Sequence, residues 1–85
     1  METYKTKDIS EASLILSLNI PFIGLEGGDG YYFFVFDDTE NACALISQEY
    51  WSGKAVGNIK NFVSALKSLK DLIYSRGSKP YRFDR

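Results

Sequence analysis

The chain has 85 residues, of which 45% are hydrophobic, 25% charged and 15% aromatic, proportions that indicate one globular domain and exclude an intrinsically disordered chain. Histidine is absent and Cys43 is the sole cysteine, which excludes an internal disulfide, a zinc cluster and histidine-dependent catalysis. We therefore expect a protein that is not an enzyme, with no catalytic residue, no metal and no cofactor. Cys43 itself is interpreted as a small core residue.

Charge is distributed unevenly along the chain, although the net charge is only −1. Residues 1–59 carry three basic and nine acidic residues, a net charge of −6, whereas residues 60–85 carry seven basic and two acidic residues, a net charge of +5. We interpret the basic end as a solvated helix face and a charged tail. It also suits an acidic partner, nucleic acid or head-to-tail self-association.

The beginning of the chain predicts a strand and a helix. Thr3–Thr6 is β-tolerant and suits a short edge strand. Asp8 and Glu11 have the spacing of a capping box, in which Asp8 caps the first turn and Glu11 reaches back to the cap amide. The helix is predicted over about residues 9–18 and ends before Pro21, which forces the preceding residue to be extended.

A β-hairpin is predicted next, because residues 22–26 and 31–36 are β-prone and flank the glycine-rich turn at residues 27–30. A four-residue loop places Leu25 opposite Tyr32. Side-chain alternation then gives a core face of Ile23, Leu25, Tyr32, Phe34 and Phe36, and a second face of Phe22, Glu26, Tyr31, Phe33 and Val35. The second face is too apolar to be simply solvated, so the first helix, the C-terminal tail, a second copy or a bound partner should cover it.

The second half of the chain predicts two more helices. Asp38 or Thr39 caps a helix whose buried stripe is Ala42, Ile46 and Tyr50, with Trp51 pointing away from that stripe near the helix end. Residues 54–56 suit an additional short strand. The last helix is predicted over about residues 59–75, capped by Asn58, with an apolar stripe of Ile59, Phe62, Leu66, Leu69 and Ile73.

These elements predict an α+β fold in which a small antiparallel sheet, built on a central β-hairpin, packs with three helices in the order (β)αββα(β)α. Residues 1–77 form a single domain and residues 78–85 a C-terminal tail. The polar N-terminus is unlike a signal peptide, and the apolar run at residues 14–18 is too short to span a bilayer. We therefore expect a cytoplasmic protein that does not associate with a membrane.

Several short motifs carry a resemblance to known proteins. Thr6-Lys7-Asp8-Ile9 opens a helix, Phe33-x-Val35-Phe36-Asp37-Asp38 closes a strand, and Tyr50-Trp51-Ser52-Gly53 precedes Phe62-x-x-Ala65-Leu66-Lys67-x-Leu69-Lys70-x-x-Ile73-Tyr74. This order resembles an uncharacterised family of short bacterial and phage-associated proteins, a domain of unknown function. The similarity covers about residues 6–74. It implies a small cytoplasmic protein of a bacterium or mobile element, and it carries no activity or catalytic residues.

Two functional hypotheses follow from the residues. The first is a non-enzymatic interaction module that binds a protein partner or itself through the aromatic hairpin face, with Phe22, Tyr31, Phe33 and Trp51 as the binding residues. The alternative is an accessory nucleic-acid-binding protein that uses the basic last helix and tail, with Lys60, Lys67, Lys79 and Arg82 as the binding residues.

Overall fold

A computed structural model describes residues 2–27 and 30–76, apart from the Arg76 side chain. Within these residues the elements follow in the order β1 (Thr3–Thr6), α1 (Ile9–Ser17), β2 (Phe22–Gly27), β3 (Tyr32–Asp37), α2 (Cys43–Trp51) and α3 (Ile59–Arg76). The strands form an antiparallel sheet in the order β1-β3-β2. The predicted α+β class, built on a hairpin and three helices, is therefore confirmed. The C-terminal tail lies outside the described residues.

β3 occupies the centre of the sheet, because it is the strand with apolar side chains on both faces. Phe34, Val35 and Phe36 are all buried, although successive side chains of a strand point to opposite faces. β1 pairs with one edge of β3, with Thr6 opposite Phe34, and β2 pairs with the other. The predicted edge strand at Thr3–Thr6 is thus confirmed, and it completes a sheet that two strands alone would leave marginal.

The hairpin register differs from the predicted one by two residues. Leu25 pairs with Phe34 rather than with Tyr32, and Glu26 pairs with Phe33. A shift of two residues keeps every side chain on its original face, because the side-chain period of a strand is two. The predicted core face is therefore correct for Leu25 and Phe34, even though their partners were wrong.

A β-bulge reverses the predicted faces at the start of β2. Phe22 pairs with Phe36 and Gly24 pairs with Val35, so that Ile23 is one residue too many for the ladder. Gly24 has a φ of +153°, which glycine adopts more readily than other residues. The prediction that Ile23 points into the core and Phe22 away from it was wrong, because an inserted residue exchanges the two faces.

The core lies between the sheet and the helices, and α1 is central to it. α1 packs against α3, α2 and β1. The buried cluster contains Phe34 and Phe36 of β3, Ala12 and Ile15 of α1, Cys43 of α2, and Leu69 and Ile73 of α3. Phe34 and Phe36 share one face of β3, so the described helices build the core on that face. The other face carries Phe33 and Val35.

The helix caps were predicted in part. Asp8 Oδ1 accepts a hydrogen bond from the Glu11 amide at 2.8 Å, which confirms the N-cap of α1. The second half of the capping box was wrong, because Thr6 Oγ1, and not Glu11, accepts from the Asp8 amide. The predicted N-cap of α2 at Asp38 or Thr39 was wrong, because α2 begins later and Ala42 occupies its N-cap position. Asp38 Oδ1 still accepts from the amide of Cys43, the first residue of α2, at 3.0 Å.

Residues 54–56 do not form the predicted additional strand. The backbone amides of Lys54 and Ala55 both donate to the carbonyl oxygen of Glu49, at 2.9 and 3.1 Å. The chain therefore folds back over the last turn of α2, where free carbonyl groups need donors. Those two amides are consequently not available for a sheet.

α3 begins at Ile59 as predicted, and Asn58 Oδ1 caps it by accepting from the amide of Asn61 at 2.9 Å. Its buried residues are Ala65, Leu69 and Ile73, whereas Ile59, predicted to lie in the buried stripe, is exposed. The reason is length: an 18-residue helix is about 27 Å long, and the nine-residue α1 against which it packs is only about 14 Å long.

Candidate functional site

The sheet face that points away from the core is the first candidate surface. We call it the outer face and define it by Lys5, Lys7, Glu26, Tyr31, Phe33 and Val35. The rings of Tyr31 and Phe33 meet edge to face, with their centroids 5.5 Å apart. Tyr31 is 50% exposed. The structure thus brings two of the four predicted protein-binding residues together.

An ion pair crosses the outer face. Lys5 Nζ of β1 lies 2.6 Å from Glu26 Oε1 of β2, and β3 runs between these two edge strands. The pair therefore passes over the middle strand beside Val35, which faces Lys5 in the register. This explains how Val35 is buried without a described helix above it. Both side chains are about half exposed, so the pair contributes at most about 1 kcal/mol to stability.

Lys7 adds a cation to the aromatic pair. Its Nζ lies 5.1 Å from the ring centroid of Tyr31 and 6.0 Å from that of Phe33. Such a contact contributes about 0.5–1 kcal/mol at an exposed site. This contact was not predictable from the sequence, because Lys7 precedes α1 and Tyr31 lies beyond the hairpin loop. The outer face thus combines aromatic rings with charges of both signs.

The other two predicted protein-binding residues do not belong to the outer face. Phe22 packs on the core side, with its ring centroid 5.3 Å from that of Phe36. The bulge at Ile23 causes this, so placing Phe22 on the binding face was wrong. Trp51 lies at the end of α2 and is 62% exposed, and its ring meets that of Tyr50 at 4.9 Å.

A buried carboxylate joins three elements of the fold. Glu11 of α1 is only 3% exposed. Its Oε2 accepts a hydrogen bond from the Tyr4 hydroxyl at 2.6 Å, and its Oε1 accepts from the Thr6 hydroxyl at 2.9 Å and from the Trp51 indole at 3.3 Å. We call Glu11 and these three donors the Glu11 network. It connects β1, α1 and α2, and its three donors are all uncharged groups.

The hydrogen bonds of this network decide the protonation state of Glu11. Burial raises the pKa of the carboxyl group, but the side-chain hydrogen bonds outweigh burial, so the pKa of Glu11 lies below its ordinary value. The hydroxyl groups of Tyr4, Ser47 and Thr6 and the indole of Trp51 lower the pKa, and of these Tyr4, Thr6 and Trp51 are the three donors of the Glu11 network. The pKa of Tyr4 is raised, first by burial and then by its bond to the Glu11 carboxylate. Glu11 is therefore ionised at neutral pH and has its acceptor sites occupied.

Cys43 is fully buried, which confirms its interpretation as a core residue. Burial, followed by the proximity of Asp38, raises the pKa of its thiol to about 12. The thiol is therefore protonated at neutral pH and is a poor nucleophile.

The basic residues of the alternative hypothesis are only partly described. Lys60 and Lys67 are exposed and lie two turns apart on α3. Lys67 Nζ lies 3.5 Å from Asp71 Oδ2 in an exposed i,i+4 pair. Lys79 and Arg82 lie outside the described residues, so their part in a shared basic surface stays a prediction.

A groove between the helices is the second candidate surface. It has a volume of about 360 Å³ and lies where α1, the end of α2 and the start of α3 meet. Its lining includes Leu14, Ser17, Tyr50, Val56, Ile59 and Phe62. The sequence did not indicate this groove, because Ile59 and Phe62 were both assigned to the core stripe of the last helix.

Within residues 2–27 and 30–76, no group of three or more cysteine, aspartate or glutamate residues is placed to hold a metal ion. No helix of that part combines the length and apolar character that crossing a bilayer requires.

Comparison of the chain with models of protein families, with curated proteins and with solved structures found no match. The resemblance to short bacterial and phage-associated proteins therefore stays a prediction.

Proposed function

We propose that the protein is a non-enzymatic interaction module that associates with a second copy of itself through the outer face. The observation that carries the proposal is the aromatic pair of the exposed Tyr31 and the half-buried Phe33 on a sheet face that no described helix covers. Tyrosine and phenylalanine are enriched at the centres of protein interfaces.

The charges of the outer face favour a second copy over an unrelated partner. A twofold dimer uses the same patch on both subunits, so the patch must be complementary to itself. The outer face meets this condition, because it carries the cations Lys5 and Lys7 and the anion Glu26. A face with charges of one sign only would repel its own copy.

The area of the outer face sets the strength of the association. A six-residue strand is about 20 Å long and three strands are roughly 14 Å wide, which gives a face of about 300 Å². Stable dimers bury about 800 Å² on each partner. We therefore expect a weak dimer that dissociates on dilution.

The absence of enzymatic activity is part of the proposal. Support comes from the two reactive side chains in the core: the Cys43 thiol with its pKa raised to about 12, and the Glu11 carboxylate with its acceptor sites occupied. The single cysteine also favours a reducing cytoplasm. The resemblance of the sequence favours a bacterial or mobile-element origin.

Equilibrium sedimentation over a range of protein concentrations tests the proposed dimer. The average mass should rise towards twice the chain mass as concentration increases, and Tyr31→Ser should keep the protein monomeric over the same range. Leu45→Ser is the matched control, since Leu45 is an exposed apolar residue on α2 and does not belong to the outer face. The proposal is wrong if the wild type is monomeric throughout, or if Tyr31→Ser self-associates as strongly as Leu45→Ser while both retain a native circular dichroism spectrum.

Nucleic-acid binding by the basic end is the second candidate function. It is favoured by Lys60 and Lys67, which are exposed on the same side of α3. Binding to DNA or RNA should weaken steeply with salt and on deletion of residues 78–85, which include Lys79 and Arg82. Absence of an electrophoretic mobility shift with either nucleic acid at low salt would exclude this function.

A further inference from the structure

The start of α3 presents a group of apolar side chains to solvent. Val56 is 84% exposed, Ile59 is 79% exposed, and more than half of Val63 is exposed. Ile59 and Val63 are four residues apart and so lie on the same side of the helix. Single exposed apolar residues are ordinary, but Val56 and Ile59 line the same groove, and Val63 continues the exposed side of α3 from Ile59. We call these three residues the α3 flank.

The charged residues around the α3 flank are mainly basic. Lys60 is next to Ile59, Lys67 is one turn beyond Val63, and Lys54 precedes Val56 by two residues. Lys67 is already paired with Asp71, whereas Lys60 is directed to solvent beside the apolar group. The groove and flank therefore form an apolar surface with a positively charged rim, unlike the outer face, on which both signs are mixed.

We propose that the groove and the α3 flank bind an amphipathic helix of a partner protein, with acidic residues beside its apolar stripe. A helix that lies in a groove inserts side chains at i, i+4 and i+7, a spacing that suits Ile59 and Val63 along α3. Its acidic residues would lie beside Lys54 and Lys60, which gives the interface complementary charge. The 360 Å³ groove falls within the range of about 300–1,000 Å³ that is usual for binding pockets, and it receives the partner's apolar anchor.

Charge argues against the other occupants of this surface. A second copy that paired through α3 would set lysine against lysine. The chain's own residues 77–85 carry three basic residues and one acidic residue, so they share the sign of the rim. The phosphates of a nucleic acid would pair with the lysines, but its charged backbone would leave Val56 and Ile59 without an apolar partner.

The test uses the full-length protein, labelled for NMR, and synthetic peptides of about 16 residues, long enough to form a helix when bound. The acidic peptide has leucines along one face and glutamates beside them. A second peptide has lysine in place of glutamate, and a third is a scrambled form of the acidic one. We expect the acidic peptide to bind and to shift the resonances of Val56, Ile59 and Val63, and we expect the other two peptides not to bind.

Two substitutions make the test specific to the surface. Ile59→Ser should weaken binding of the acidic peptide about tenfold, equivalent to 1.4 kcal/mol, whereas the control Leu45→Ser should leave it unchanged. Lys60→Glu should weaken binding of the acidic peptide and strengthen binding of the basic peptide. Both positions are exposed, so folding should be retained; if Ile59→Ser unfolds, Val56→Ser replaces it.

Four results with the peptides would overturn the proposal. These are equal binding of the acidic and basic peptides, absence of binding by the acidic peptide, equal affinity of the Ile59→Ser and Leu45→Ser proteins, and resonance shifts concentrated at Tyr31 and Phe33. A DNA or RNA oligonucleotide that displaces the acidic peptide and produces the same shifts would assign the surface to nucleic acid instead. None of these results depends on whether the outer face forms a dimer.

Discussion

Glu11 should be the polar residue whose substitution costs the protein most stability, and Glu11→Ala is the first perturbation to make. The bonds from Tyr4 and Thr6 to the carboxylate are short, at 2.6 and 2.9 Å. Hydrogen bonds to a charged group contribute about 1.5–3 kcal/mol each. The bond from Trp51 is longer, at 3.3 Å, and its indole is exposed to water, so we give it no weight.

Two bonds at the low end of that range give a loss of about 3 kcal/mol for Glu11→Ala. The low end is appropriate because the Tyr4 hydroxyl is only part-buried and finds water after the substitution. The buried Thr6 hydroxyl loses a partner that nothing replaces, so the loss should not fall below this value. The loss is large for a domain of 85 residues, whose whole stability is roughly 4–13 kcal/mol.

The milder substitution Glu11→Gln isolates the charge. It keeps the size of the side chain and one acceptor oxygen. The NH2 group replaces the other oxygen and cannot accept a hydrogen bond from the hydroxyl that it faces. The negative charge that strengthens the remaining bonds is also lost. We expect a loss of about 2 kcal/mol at pH 7, which corresponds to a fall in melting temperature of roughly 8–16 °C. Glu49→Gln on the exposed side of α2 is the matched control and should change stability by less than about 0.5 kcal/mol.

The pH dependence follows from the lowered pKa of Glu11. A carboxyl group whose pKa is lower in the folded state stabilises the protein above its unfolded pKa of about 4.3, and this stabilisation is lost as pH falls through the lower folded value. Glutamine does not titrate. The difference in stability between wild type and Glu11→Gln should therefore be full at pH 7 and shrink below about pH 4. Asp37, whose pKa is also lowered, contributes equally to both proteins and cancels.

Urea denaturation followed by circular dichroism at several pH values measures these differences. Fluorescence of Trp51, the single tryptophan of the chain, provides a second probe next to the network. The reasoning is refuted if Glu11→Gln is as stable as Glu49→Gln at pH 7, or if the stability difference does not change with pH. Either result would mean that the carboxylate gains nothing from its donors beyond the cost of its burial.

Two further predictions concern the core and its uncovered end. Cys43 is buried and its pKa is raised to about 12, so it should not react with a thiol reagent in the native protein at pH 8. It should react fully in denaturant. Rapid labelling of the native protein would contradict the placement of the thiol. Leu69→Ala should cost about 2–5 kcal/mol in thermal or urea unfolding because Leu69 is almost fully buried, whereas Ile59→Ala on the same helix should cost less than about 0.5 kcal/mol. Equal losses at the two positions would show that the start of α3 is covered in solution.

Local signals in the sequence were sufficient for most of the fold. Asp8 caps α1 and Asn58 caps α3, as predicted, because a capping bond joins a side chain to an amide only three residues further along the chain. The aromatic run of β3 predicts a strand buried on both faces. The bulge was not predictable, because Gly24 by itself is compatible with a regular strand.

The parts of the candidate sites that the sequence missed depend on contacts distant in the chain. Trp51 donates to Glu11 from 40 residues away, and no spacing rule indicates such a pair. The exposure of Ile59 depends on the length of α1 relative to α3, which only the packed structure shows. Periodicity gives the apolar side of a helix, but it does not say whether another element covers that side.

The Glu11 network lies between the outer face and the groove. Effects of a substitution on folding can therefore be distinguished from its effects on binding at either surface. Its donors on β1, Tyr4 and Thr6, alternate with Lys5 and are followed by Lys7 of the outer face. Its donor on α2, Trp51, follows directly on a residue that lines the groove. Loosening Glu11 should therefore weaken dimerisation and peptide binding together, because the elements that carry both surfaces lose their common support. Substitution of Tyr31 should abolish dimerisation at a cost of no more than about 1 kcal/mol in stability, and substitution of Ile59 should weaken peptide binding about tenfold. Each should leave the other kind of binding unchanged.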